Sequence, residues 1–215
     1  MKVMAFNGSP RKQWNTAAML EKALAGCASQ GAETKLVHLY DLSFKGCISC
    51  FACKTKNGKF YGSCAVKDDL TPLLKEIEAV GAIILGSPVY FHSVTGEMRS
   101  FMERLLYPYI AYTDPFSTLF PRKIKTGFIY TMNRPEEQLK EFGYDRYFVQ
   151  NEGAMTMVFG SCETVYSCET LQFEDYGKVV SSRFDPVKRV ERHREVFPKD
   201  CQKAFDMGVR LAKHE

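Results

Sequence analysis

Lys2-Val3-Met4-Ala5-Phe6-Asn7-Gly8-Ser9-Pro10-Arg11, followed by Asn15-Thr16-Ala17-Ala18-Met19-Leu20, reads as a strand, a tight turn and a helix. The apolar run 3–6 is short enough for a buried strand. Asn15 is the expected N-cap, because its side-chain oxygen suits an orphan amide of the first helical turn. The unpaired amides and positive dipole end of that helix then lie beside Ser9, Arg11, Asn15 and Thr16, which together make an anion site. The turn has neither the three spaced glycines of a dinucleotide fingerprint nor the Gly-Lys-Ser/Thr of a triphosphate loop. Hydroxyls, one arginine and helix amides suit instead a terminal phosphate monoester such as that of FMN. On its own, the stretch equally fits an ordinary capped strand-to-helix turn.

Strand and helix signals alternate through the rest of the chain. Strands are expected at 34–39, at 81–86 between two glycines, at 126–131 and at 163–173. Helices are expected from Asp68 or Asp69 through Val80, over 96–106, from Pro135 onward and over most of 188–213. Strands separated by helix-length segments predict a parallel sheet with helices on both faces. In a flavodoxin-like order, 2-1-3-4-5, the ligand crevice lies at the carboxyl ends of strands one and three. The segments that leave those ends are 7–16 and 87–91, so the two candidate loops fall side by side.

With 215 residues, 45% hydrophobic and 25% charged, the chain suits one globular domain over 1–215. A net charge of +4 gives no argument for nucleic acid. No apolar run approaches the ~20 residues of a membrane span. The opening strand lacks a signal-peptide layout, so a cytoplasmic location is expected. Eight cysteines without a secretion signal point away from a disulfide scaffold. Cys47, Cys50, Cys53 and Cys64 crowd into a loop over 43–67, whereas Cys27, Cys162, Cys168 and Cys201 read as packing residues.

Gly8-Ser9-Pro10-Arg11 with Asn15-Thr16, then Ser87-Pro88-Val89-Tyr90-Phe91 before Ser93-Val94-Thr95-Gly96, resembles the FMN-binding flavodoxin-like oxidoreductases. More narrowly, the chain is similar to NAD(P)H-dependent FMN reductases and iron–sulfur flavoproteins. Gly46-Cys47-x-x-Cys50-x-x-Cys53 with Cys64 and Asp68-Asp69 adds to that likeness. The resemblance runs over about 2–131 and implies that Ser9, Arg11, Asn15 and Thr16 hold the FMN phosphate. It places Pro88, Val89, Tyr90 and Phe91 along the isoalloxazine ring and Thr131, Met132 and Asn133 on its far side. Trp14 departs from the small residue usual before Asn15. No acid–base constellation stands out, as expected where the cofactor carries the chemistry; His92 reads as a surface residue of a turn.

Three functions are weighed on this basis. The first is an enzyme passing electrons from NAD(P)H through FMN to a flavin, quinone or other small acceptor. The second is an electron carrier whose cysteine loop holds a 4Fe-4S cluster and exchanges electrons with a protein such as ferredoxin. The third is a non-catalytic module with zinc on the four cysteines. The C-x2-C-x2-C spacing favours iron–sulfur over zinc, although ten residues separate Cys53 from Cys64, more than in iron–sulfur flavoproteins. The aromatic connection 107–121 is expected to form a subunit contact of a homo-oligomer. The basic stretch 188–194 is expected to be a solvated face.

Overall fold

The computed structural model describes residues 1–213. Strands β1 (Lys2–Asn7), β2 (Glu33–His38), β3 (Ala82–Tyr90), β5 (Lys125–Thr131) and β6 (Glu163–Ser167) form one parallel sheet in the order β2-β1-β3-β5-β6; the short β4 (Ser93–Val94) folds back antiparallel on β3. The helices are α1 (Asn15–Ala28), α2 (Leu70–Ile77), α3 (Gly96–Leu106), α4 (Tyr144–Phe159), α5 (Pro186–Glu195) and α6 (Phe197–Ala212). The doubly wound sheet expected from the sequence is therefore present, with β4 as an addition.

Strand alternation divides the core in two. Val3, Ala5, Ile84 and Ile129 face a cluster with α1 and α6, whereas Met4, Phe6, Leu85, Phe128 and Tyr130 face a cluster with α2, α3 and α4. On the second side, rings stack in pairs: Phe6 on Phe101 at 4.5 Å and Tyr130 on Phe148 at 4.1 Å between centroids. On the first side, α1 and α6 meet backbone to backbone. A methyl group at Gly208 would lie 1.9 Å from Ala23 O, and one at Gly26 would lie 2.0 Å from Phe205 O.

Several boundaries differ from expectation. Ser87–Tyr90 continues β3 instead of leaving it as a loop. Proline is tolerated there because β1 pairs with β3 only as far as Gly86, so Pro88 lacks a neighbour on that side while it pairs with Thr131 on the other. β6 stops at Ser167 and does not reach 173, because Glu169 adopts φ +50 and the ladder slips. Met132 N donates to Ser167 O but Met132 O accepts from Thr170 N, so one extra residue bulges out. Past Pro135 comes only a short 3-10 turn, and α4 begins at Tyr144. In the aromatic connection, Tyr109 and Phe120 are core residues; Tyr112 and Phe116 are exposed.

Candidate functional site

The loop after β1 is fastened to the sheet by short polar contacts. Gly8 N donates to Gly86 O at 2.7 Å, and Thr95 Oγ1 donates to Gly8 O at 2.7 Å. Thr95 also caps α3, accepting from Met98 N, and its own amide donates to Ser87 Oγ at 3.0 Å. No side chain larger than hydrogen fits at Gly8, where a Cβ would sit 2.8 Å from Met98 Cβ. Ser9 is buried; its amide donates to Asn7 Oδ1 and its hydroxyl accepts from Arg11 N.

Trp14, not Asn15, occupies the N-cap of α1, and it supplies no side-chain cap. Asn15 is the first helical residue, so its oxygen does not serve the helix end. The first intrahelical donor is Ala18 N, to Trp14 O at 2.9 Å, which leaves the amides before it without intrahelical acceptors. Thr16 and Thr131 hydroxyls meet at 2.7 Å, both buried, tying α1 to the end of β5. The Thr131 hydroxyl thus serves the helix start.

A strap over 168–176 crosses this corner. Leu171 O accepts from Trp14 Nε1 at 2.9 Å and from Asn15 Nδ2 at 2.8 Å, and Gln172 O accepts from the Arg11 guanidinium. Asn133 Nδ2 donates to Gln172 Oε1 at 3.0 Å, while Asn133 Oδ1 is buried with no hydrogen-bond partner among the described residues. Beside it opens a cavity of about 640 Å³ lined by Val89, Met132, Asn133, Arg134, Phe142 and Arg189, among others. An uncapped helix end, buried hydroxyls, an adjoining cleft and an orphaned amide oxygen fit a phosphate-bearing cofactor with a polar-edged ring.

Of the β3 residues assigned to the ring, Val89 lines this cavity. Tyr90 is half exposed, and Phe91 is 100% exposed in a turn where it and His92 take φ +48 and +67. His92 is exposed, with its ring 4.8 Å from that of Tyr144. The basic stretch is only partly a solvated face. Arg189 is buried, bonded to Glu169 Oε1 at 2.9 Å and stacked on Phe184, and Arg192 pairs with Asp200 at 2.6 Å.

The cysteine loop is built differently. Cys47, Cys50, Cys53 and Cys64 line one small cavity together with Ile48, Arg104 and Tyr107. Cys47 and Cys50 are exposed and Cys53 is buried, which pushes its thiol up from the usual range. Ser49 and Phe51, on either side of Cys50, both take positive φ. Cys47 N donates to Glu103 Oε2 at 3.1 Å, and Lys54 Nζ donates to the carbonyls of Tyr107, Pro108 and Ile110. Among the described residues, no three His, Cys, Asp or Glu side chains form a single-ion site. A zinc centre needs its donors within about 2.3 Å of one point, whereas a cubane cluster spreads its thiolates over four corners.

Sequence reasoning missed the strap, because nothing local marks carbonyls that reach back to the N-terminal loop. It also missed Arg104, which lies at the edge of the apolar side formed by Met98, Phe101, Met102 and Leu105, where an arginine reads as an ordinary flanking charge.

A sequence profile of the family described as NADPH-dependent FMN reductase matches residues 1–121. An iron–sulfur flavoprotein of Methanocaldococcus jannaschii is 38% identical over 104 residues, 48% of this chain and 51% of that protein. One from Archaeoglobus fulgidus is 38% identical over 109 residues, 51% of this chain and 47% of that protein. The chain thus spans about half the length of the curated relatives it matches. Among solved structures, the NAD(P)H:quinone oxidoreductase from Methanothermobacter marburgensis superposes with a TM-score of 0.71 at 14% identity, covering 98% of both chains. An FMN-dependent NADH-azoreductase from Bacillus anthracis, in complex with FMN, gives 0.67 at 10% identity, covering 99% of this chain and 100% of that one. At such identities the likeness shows a shared fold. No helix among the described residues is long and apolar enough to cross a membrane.

Proposed function

The chain belongs to the NADPH-dependent FMN reductase family, and from that premise we propose that it is an FMN-dependent oxidoreductase taking electrons from NAD(P)H and passing them to a small acceptor such as a quinone or flavin. The observation that carries this reading is the uncapped start of α1 beside the buried Ser9 and Thr16, next to the cleft at the ends of β3 and β5. FMN, when bound, supplies the hydride and electron transfer. The protein's part is to bind and orient it. Ser9, the α1 amides and Arg11 hold the phosphate, with Asn15 and Arg11 exchanging strap carbonyls for phosphate oxygens. Val89 and Met132 provide an apolar wall, and Asn133 Oδ1 offers an acceptor to a ring N–H. Arg11→Ala removes one charge-assisted contact worth roughly 1.5–3 kcal/mol, so FMN affinity measured by fluorescence quenching falls about ten- to a hundredfold. Unchanged affinity sinks the assignment.

A second reading has its own support. Four cysteines lining one cavity, in a chain whose relatives are named iron–sulfur flavoproteins, favour a 4Fe-4S cluster that exchanges electrons with FMN and a protein such as ferredoxin. Iron and sulfide analysis of anaerobically purified protein separates the readings: four of each per chain supports the carrier, and a metal-free yellow protein leaves the plain reductase. Zinc without flavin colour identifies a binding module. Exposed Tyr112 and Phe116 support a homo-oligomer, for which the solution mass must exceed 24.5 kDa and fall when both residues are replaced by Glu.

A further inference from the structure

Arg104 is the largest fully buried side chain among the described residues, 1% exposed, in the last turn of α3. All three of its nitrogens point at the cysteine loop. Nη1 donates to Lys45 O at 2.9 Å and to Asp68 Oδ2 at 2.6 Å, and Nη2 to Asp68 Oδ1 at 3.1 Å and Val66 O at 3.3 Å. Lys45 precedes the first cysteine of the loop and Val66 follows the last, so one guanidinium clamps both ends. Its remaining N–H, on Nε, donates to Cys64 Sγ at 3.0 Å. The fork against Asp68 already neutralises the buried charge. A purely structural ion pair has no use for a third edge aimed at a thiol.

Cys64 is the cysteine outside the short C-x2-C-x2-C run, separated from it by ten residues. A donor so distant in sequence needs an anchor if it is to meet the other three, and Arg104 supplies one. Resting on the iron–sulfur reading above, we propose that Arg104 is the positioning residue of the cysteine site: it fixes Cys64 as the fourth ligand and, by its N–H···S bond, favours the electron-rich state of a cluster bound there. Hydrogen bonds to sulfur and local charge are the means by which proteins set such potentials.

The test compares the wild-type chain, Arg104→Lys and the double variant Arg104→Met/Asp68→Leu, each reconstituted anaerobically with iron and sulfide. The double variant removes both charges of the pair together, a replacement that proteins tolerate better than the loss of one partner, and circular dichroism checks its fold. Iron per chain should fall in the order wild type, Lys variant, double variant. Any cluster retained in the double variant should show at least a tenfold higher oxidised-to-reduced ratio at fixed potential, a shift of about 59 mV or more. Wild-type iron content and potential in the double variant overturn the proposal. If the double variant does not fold, Arg104→Lys decides, because it keeps the charge but lacks the Nε–H; unchanged content and potential there overturn it equally. A wild-type chain that takes up no iron overturns the cluster reading itself, and Arg104's role toward a cluster with it.

Discussion

Two loops leave the carboxyl edge of the sheet, and they are held by opposite means. The loop after β1 is short and fastened at its base by neutral groups, the Gly8 amide on Gly86, the Thr95 hydroxyl on Gly8, and Thr16 on Thr131, while its charged tip residues Arg11 and Lys12 reach Gln172 O and Asp41. The cysteine loop after β2 has no strand of its own between 43 and 67. It is fixed by charges, with Arg104 on Asp68, Lys54 on three carbonyls, and Asp69 Oδ2 accepting from Ser43 N. A short loop can borrow the order of its neighbouring strands, whereas a long one needs anchors strong enough to offset the entropy of closing it.

The contrast can be broken most directly at Arg104. Arg104→Gln leaves the partly buried Asp68 carboxylate, 14% exposed, without its cation and should cost about 3 kcal/mol, the low end of the range for breaking a buried pair, read as a lowered urea midpoint; a loss below about 1 kcal/mol means that charge does not hold the loop. Gly8→Ala probes the other loop. The added methyl group collides with Met98 and should cost ~1–3 kcal/mol by overpacking, with a matching fall in FMN affinity as α3 is pushed from the loop. Stability intact with affinity lost would relocate the effect to the cofactor alone.

The smallest effect belongs to charges outside both loops. Glu76 pairs with Lys35 at 2.6 Å and Lys2 at 2.9 Å across the starts of β1 and β2, and its hydrogen bond to Lys35, then that to Lys2, holds its carboxyl below the usual range. A depressed folded-state value adds stability that is present above the unfolded carboxylate value of about 4.3 and is lost as pH falls through the folded one. Glu76→Gln should therefore flatten the acid limb of the stability profile and leave neutral-pH stability within about 1 kcal/mol. A large loss at pH 7 would show that surface pairs matter here as much as the buried one.

Legibility in the sequence followed the range of the forces involved. β1, β3 and β5 stood out because a strand buried on both faces reads as a short apolar run. α3 was located to the residue because Thr95 caps it and its apolar spacing is regular. The cap of α1 was misread because Asn15 has the right chemistry but its amide nitrogen is engaged by Leu171, a contact from the far end of the chain. Pro88 looked like a breaker because its harmless position depends on where β1 ends. The premature end of β6 hangs on a single positive φ at Glu169. Of the site, the N-terminal loop and the cysteines were legible as motifs; the strap, the cavity and Arg104's clamp were not, because they join segments that only the fold brings together.

The backbone contact between α1 and α6 sets a limit on dissection. Residues 1–121 carry the family profile but end before β5 and β6, and α6 lies against α1 at Gly26 and Gly208 with no room for a single methyl group. A fragment cut at that point would expose the inner edge of β3 and strip one face from the helix whose first turn forms the anion site. The profile-matched half should therefore not fold as a cooperative unit by itself; limited proteolysis should either leave the chain whole or degrade it without a stable amino-terminal core.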